Sequence, residues 1–174
     1  EALREVLHRI MDFQLGIARH YLRAGVEWVD LGDDLGTQCG LLLSPETIRS
    51  FLEPEYRRLF AFYKERNVRI NFHSCGHIVP ALDLFLDLGI DILNPVQVNA
   101  DNMDSFELKQ EFGKDICFWG GGVDTQSAFD ESHTPDEVRT DVRKRIEDLM
   151  PGGGFVFNTV HNIQGNVPPE NIMA

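Results

Sequence analysis

Short apolar runs alternate with longer stretches of helical periodicity along nearly the whole chain, and each apolar run closes on polar or glycine residues. This alternation restricts the fold more than any single motif. Residues 2–24 place Leu7, Met11, Leu15, Ala18 and Leu22 at helical spacing, with Gly25 positioned to end the helix. "VEWVDLG" (26–32) reads as a strand. Ser44 and Pro45 form an N-cap and first-turn pair that opens a helix to about Arg66. "VRINFH" (68–73) is a second strand, followed by a helix over about 78–88 that Gly89 ends. "IDILNP" (90–95) is a third, and Asp104 caps a short helix ending near Gly113. "DICFWG" (115–120) is a fourth. Thr134, Pro135, Asp136 and Glu137 form a capping box for a helix over 135–149, and "FVFNTV" (155–160) is a fifth strand after the "PGGG" break.

Alternation of this kind builds right-handed βαβ units around a parallel sheet. The strand ends are Asp33–Asp34, His73–Cys75, Asn94, Gly120–Asp124 and Asn158–His161. In an open doubly wound sheet only the strand ends near the switch point face a ligand, whereas in a (β/α)8 barrel all of them do. Polar residues at every end favour the barrel. A full barrel has eight strands, so residues 1–174 are expected to form one domain holding the last five strands of a TIM barrel. The first residue, Glu1, and the close on "PPENIMA" read as the limits of a piece of a longer protein.

Composition narrows the function. Apolar residues make up 43% and charged residues 25%, which suits a soluble globular domain, and no apolar run approaches the length of a membrane span. Sixteen basic against 28 acidic residues leave a net charge of −12, which disfavours nucleic acid as a partner. The densest basic spot, "RKR" (143–145), lies on a helix flanked by acids and reads as a solvated face. Three scattered cysteines, Cys39, Cys75 and Cys117, do not make a disulfide framework, so a reducing, cytoplasmic setting is expected. Cys117, inside an apolar run, reads as core. Trp28 and Trp119 read as core or barrel wall.

"HSCG" (73–76) is the most chemical stretch. Residues two apart on an extended backbone point the same way, so His73 and Cys75 can face one ion at the barrel mouth, and imidazole with thiolate suits zinc. Catalytic zinc takes three protein ligands and keeps a fourth position open. Candidates for the third are His161, Cys39, Asp33, Asp34 and Asp124, with His161 favoured because it closes the fifth strand. Neighbouring His77 reads as a capping or surface residue. Asp33 and Asp34 can bind substrate, ligate metal or move a proton; the plain alternative is a turn in which one side chain caps an N–H. Asp124, in "GGGVDTQ", has the same two readings, and its glycines permit close backbone approach. That spacing is neither a dinucleotide fingerprint nor a Walker loop. Asn94, Asn158 and Gln164 are further substrate-binding candidates, the last two in the polar loop that follows the fifth strand.

"GVEWVDLGDDLGTQCGLLLSPETIRSFLEPEYRRL", "NFHSCGHIVPALDLFLDLGIDILNPVQ", "FWGGGVDTQ" and "GGGFVFNTVHNIQGNVPPENI" resemble, in order and spacing, the C-terminal part of the uroporphyrinogen decarboxylase superfamily. The resemblance implies a (β/α)8 barrel and one of two chemistries: decarboxylation in haem biosynthesis, or zinc-dependent methyl transfer with corrinoid proteins. "HSCG" favours methyl transfer, because the methyltransferases carry H-x-C here as two zinc ligands, which maps onto His73 and Cys75. Their third ligand is commonly a cysteine in the last strand's loop; this chain has "TVHNIQG" there, with His161 near the place. The resemblance thus implies zinc, a small-molecule methyl donor or acceptor and a corrinoid carried by a partner protein, with Asp33, Asp34 and His161 as catalytic candidates. In the decarboxylase reading no metal is needed, and carboxylates with His161 handle an acidic tetrapyrrole. A non-catalytic ligand-binding module is the third reading. Five barrel strands leave open sheet edges, so pairing with a second copy or with further barrel strands is expected.

Overall fold

The computed structural model describes residues 1–126 and 132–174. Its elements follow the expected alternation: α1 (Ala2–Arg23), β1 (Trp28–Gly32), α2 (Pro45–Thr47), a π-helical turn (Ile48–Leu52), α3 (Glu53–Lys64), β2 (Arg69–His73), α4 (Val79–Leu88), β3 (Ile92–Asn94), α5 (Ser105–Phe112), β4 (Cys117–Trp119), α6 (Pro135–Leu149), β5 (Phe155–Val156) and α7 (Pro169–Ile172). The anticipated helix starts are built from the anticipated groups. Ser44 accepts from Thr47 N, Asp104 accepts from Phe106 N and Glu107 N, and both bonds of the Thr134–Glu137 capping box form. Gly89 closes α4 at φ +93°, a conformation that disfavours any side chain. The single helix expected over 45–66 widens into a π turn immediately before Glu53–Pro54, where Pro54 has no N–H to offer the preceding turn. The four-residue α7 carried no helical pattern in the sequence.

The strands form one parallel sheet in the order β1-β2-β3-β4-β5. Sequential order with no reversal removes the switch point that a doubly wound sheet requires, so the architecture is that of a partial barrel. The pleat sorts the side chains. Val29, Ile70, Phe72, Leu93 and Phe118 are buried in the main core shared with the helices, where Phe72 packs on Phe60 and Phe85 at centroid separations of 5.7 and 4.5 Å. Trp28, Asp30, Asn71, His73, Asn94, Cys117 and Trp119 alternate with them onto the concave face. There Trp28 meets Trp119 edge-to-face at 5.2 Å, and Asn71 Nδ2 donates to Asp30 Oδ1 at 2.6 Å. The two tryptophans are therefore barrel wall. Cys117, expected in the core, is only half-buried because its alternation turns it to the concave side.

Candidate metal centre

The site grows from the carboxyl ends of β1, β2 and β3. In β2, Ile70 and Phe72 are held by the helix layer, so His73 must face the concavity. The register pairs His73 with Gly32 of β1 and Asn94 of β3. Gly32 leaves room there: a Cβ on it would meet His73 Cβ at 2.9 Å. Asn94 sits level with the imidazole, and its Oδ1 lies 2.7 Å from His73 Nδ1 while its Nδ2 donates to the Trp119 carbonyl at 3.2 Å. With Nδ2 committed to a carbonyl, Asn94 Oδ1 is an acceptor. Nδ1 therefore carries a proton, and in the neutral ring Nε2 presents its lone pair.

The residues after His73 turn sharply. Gly76 has φ +83°, and a Cβ on it would meet Gly36 C at 2.5 Å and Thr37 O at 2.6 Å. Backbone lies directly on backbone, so the loop after β1 is drawn over the "HSCG" turn. That contact brings Asp34 to Cys75: Cys75 N donates to Asp34 Oδ1 at 3.0 Å. One oxygen of Asp34, one ring nitrogen of His73 and the sulfur of Cys75 all lie within 4.8 Å of one another, the grouping of potential metal ligands found among the described residues. His73 Nε2 is 3.5 Å from Cys75 Sγ and 3.6 Å from Asp34 Oδ1. An ion with Zn–N and Zn–O near 2.1 Å and Zn–S near 2.3 Å in tetrahedral geometry sets those edges at about 3.6 and about 3.4 Å. Both edges from His73 therefore stand close to the separations zinc requires, and Asp34 and Cys75 offer donors within 4.8 Å of each other. Two anionic ligands with one neutral imidazole also balance its double charge. Burial pushes the Cys75 thiol above its ordinary range, and the neighbouring Asp34 charge pushes it further, so this pair calls for a cation to become a thiolate.

The expected residues separate. Asp34, His73 and Cys75 converge. Asp33 does not join them: it turns to the helix side, where the Tyr56 hydroxyl donates to its Oδ2 at 2.6 Å, because adjacent residues on an extended backbone face opposite ways. Tyr56's hydroxyl is correspondingly pushed far above the ordinary phenol range, by burial and then by Asp33. His161, expected as the third ligand, is not in the group. It lines the other side of a cavity of about 380 Å³ together with His73, Asn94, Asn158, Thr159 and Asn162. Gln164 lies beside it, with Nε2 at 3.4 Å from His161 Nδ1. Cys39 is exposed in the β1 loop and outside the group, its backbone held by Thr37 Oγ1. Asp124 is 3% exposed, and its Oδ1 accepts from Asn99 Nδ2 and Gln126 N, the N–H-capping turn that was one of its two expected readings. His77 is also buried, with Nδ1 lacking a hydrogen-bond partner among the described residues, where a surface or capping role was expected. The glycines before Asp124 serve packing between strand ends: a Cβ on Gly121 would meet Val96 at 2.8 Å, and one on Gly122 would meet Phe157 at 2.6 Å.

A sequence model of the family described as Uroporphyrinogen decarboxylase (URO-D) matches residues 1–174. The chain belongs to the uroporphyrinogen decarboxylase family. A uroporphyrinogen decarboxylase of Neisseria meningitidis is 25% identical over 173 residues, covering 96% of this chain and 46% of the relative. One of Alkalilimnicola ehrlichii is 27% identical over 175 residues, covering 98% and 45%. The chain thus spans about half the length of the curated relatives it matches. Among solved structures, a methyltransferase from Methanosarcina mazei superposes with a TM-score of 0.61 at 19% identity, over 87% of this chain and 41% of that one. A dihydropteroate synthase of Clostridium difficile gives 0.55 at 16% identity, over 94% and 60%. These two similarities establish the fold of this family member. Among its described residues, no helix is long and apolar enough to cross a membrane.

Proposed function

We propose that this member of the uroporphyrinogen decarboxylase family takes part in zinc-dependent methyl transfer to or from a corrinoid carried by a partner protein. The observation that carries this reading is the convergence of Asp34, His73 and Cys75 within 4.8 Å of one another, with His73 Nε2 at 3.5 Å from Cys75 Sγ and 3.6 Å from Asp34 Oδ1. These three residues would hold the ion beside the cavity that His73 lines. Bound zinc supplies Lewis acidity, which holds an acceptor thiol as thiolate or polarises the heteroatom of a methyl donor. The chain's own residues do the rest. Asn94, through its contact with His73 Nδ1, would keep Nε2 free to ligate the ion. Asn158 and His161 line the adjoining cavity, with Gln164 beside His161, and offer hydrogen-bonding groups to a polar methyl donor or acceptor. The similarity in fold to the Methanosarcina mazei methyltransferase agrees with this reading.

The second reading is uroporphyrinogen decarboxylation, favoured by the names of the curated relatives. A tetrapyrrole bearing many carboxylates calls for arginines at the strand ends. Here the arginines lie on helices and in the turn before β2, apart from Arg69, which opens β2 at the opposite end of the barrel and pairs with Asp91. The concave face and a run of exposed apolar residues on α1 (Leu3, Val6, Ile10, Phe13) suit further barrel strands or a second copy as cover.

The test is metal analysis of protein purified under reducing conditions, joined to turnover. About one zinc per chain, lost in Cys75→Ala, together with demethylation of methylcobalamin by a panel of small thiols, supports the proposal. Absence of bound zinc at neutral pH, with turnover of uroporphyrinogen, replaces it with the decarboxylase reading.

A further inference from the structure

Four consecutive residues at the end of β2 each have a defined partner. Ser74 Oγ, fully buried, accepts from Leu35 N at 3.1 Å. Cys75 N donates to Asp34 Oδ1 at 3.0 Å, and His77 N donates to Thr37 O at 2.8 Å. These three partners belong to the loop that carries Asp34. The fourth does not: Gly76 N donates to Gln97 Oε1 at 2.7 Å. Gln97 comes from the β3 loop and is 8% exposed. Its Nε2 donates to Gln38 Oε1 at 3.1 Å, and Gln38 Nε2 donates to the Asn99 carbonyl, back in the β3 loop. Asp101 N donates to the Gln38 carbonyl at 2.9 Å.

We propose that Gln97, acting through Gln38, is a positioning residue that fixes the distance between Asp34 and Cys75; the inference rests on the zinc reading above. Gln97 touches neither ligand's donor atom. It acts on the two loops that carry them, gripping the Cys75 turn with its carbonyl oxygen and the Asp34 loop with its amide nitrogen. The orientation is forced. Gly76 N is a donor, so Gln97 must present oxygen to it, and the remaining NH₂ then faces Gln38. The turn cannot adjust independently, because Gly76 at φ +83° lies against the backbone of Gly36 and Thr37. The β3 end therefore supplies no ligand but holds both sides of the site: Asn94 orients His73, and Gln97 sets Cys75 against Asp34.

The experiment measures Zn²⁺ affinity by competition with a chromophoric chelator, and the cysteine-to-cobalt charge-transfer absorption of the Co²⁺-loaded chain. Wild type, Gln97→Leu, Gln97→Glu and Gln38→Leu are compared, with far-UV circular dichroism of the metal-free proteins. Gln97→Leu is expected to weaken Zn²⁺ binding roughly 10- to 100-fold and to shift or diminish the thiolate band. Gln97→Glu, which keeps an acceptor for Gly76 N, is expected to recover part of the loss. Gln38→Leu sits on an exposed loop and is expected to lower affinity in the same direction; it decides the matter if Gln97→Leu does not fold. Tight binding by wild type with unchanged affinity and band in the folded variants overturns the positioning role alone. Failure of the wild type to bind Zn²⁺ overturns the zinc reading and this inference with it.

Discussion

Gly76→Ala tests the backbone contact on which the site depends. The substitution forces alanine to φ +83°, which costs about 1–2 kcal/mol for a residue with a Cβ. The new methyl would also stand 2.5 Å from Gly36 C, 2.6 Å from Thr37 O and 2.8 Å from Thr37 N. All three are backbone atoms, so no side chain can swing aside and the β1 loop has to lift. Lifting it breaks the bonds from Cys75 N to Asp34 and from His77 N to Thr37, each contributing about 1 kcal/mol. The sum is about 3–4 kcal/mol. For a chain of this length each kcal/mol moves the melting temperature by roughly 2–4 °C, so a drop on the order of 10 °C is expected. Zinc affinity should fall further than stability does, because Asp34 leaves the site when its loop lifts. Gly36→Ala presses on the same contact from the other side, toward the Cys75 carbonyl. Once either methyl has parted the loops the second meets less resistance, so the double variant should lose clearly less than the two single losses added. Calorimetry and chelator competition on the four proteins measure both effects. A Gly76→Ala protein within about 1 kcal/mol of wild type, with unaltered zinc binding, would refute the claim that this contact builds the site.

Further outcomes follow from the same geometry. Asn94→Leu removes the acceptor for His73 Nδ1 and should weaken zinc binding about 10- to 100-fold, measured by chelator competition, with little change in circular dichroism. In the metal-free protein, burial and the Asp34 charge raise the Cys75 thiol, so the pH midpoint of its alkylation should lie above the usual thiol value of about 8.5. Asp34→Asn removes the repelling charge and should lower that midpoint; a midpoint that stays put would remove Asp34 from Cys75's surroundings. Asp33 and Asp34 should behave oppositely. Asp34→Asn should impair zinc binding, whereas Asp33→Asn and Tyr56→Phe should leave it intact and cost on the order of 1 kcal/mol in thermal denaturation, since they alter only the bond on the helix side.

Much of the fold was legible because its causes are local. The N-caps at Ser44, Asp104 and Thr134 and the left-handed stop at Gly89 act within one helical turn, and each operates where the sequence placed it. The shared direction of His73 and Cys75 was likewise legible, since a two-residue period belongs to the strand itself. Membership of a (β/α)8-type family could be read from the order of elements and from the quoted motifs.

Other features depend on residues distant in sequence. The choice between Asp33 and Asp34 turned on which of two adjacent side chains faces inward where β1 ends, and on the Gly36–Gly76 contact that folds Asp34 over Cys75. Two glycines 40 residues apart leave no periodic trace. His161 was favoured as third ligand because it closes a strand, yet β5 lies three strands from β2 in the sheet, while β1 is its hydrogen-bonded neighbour. Asn94 was legible as a polar strand end, but its hold on His73 required the β2–β3 register. Asp124 looked identical to Asp34 as a polar residue at a strand end, and only burial against Asn99 and Gln126 told them apart. The sequence by itself determined the order of the main strands and helices and the shared direction of His73 and Cys75. The tertiary structure decided which acid joins them, Asp34, and which residues hold the group together, because those choices depend on close approach between loops.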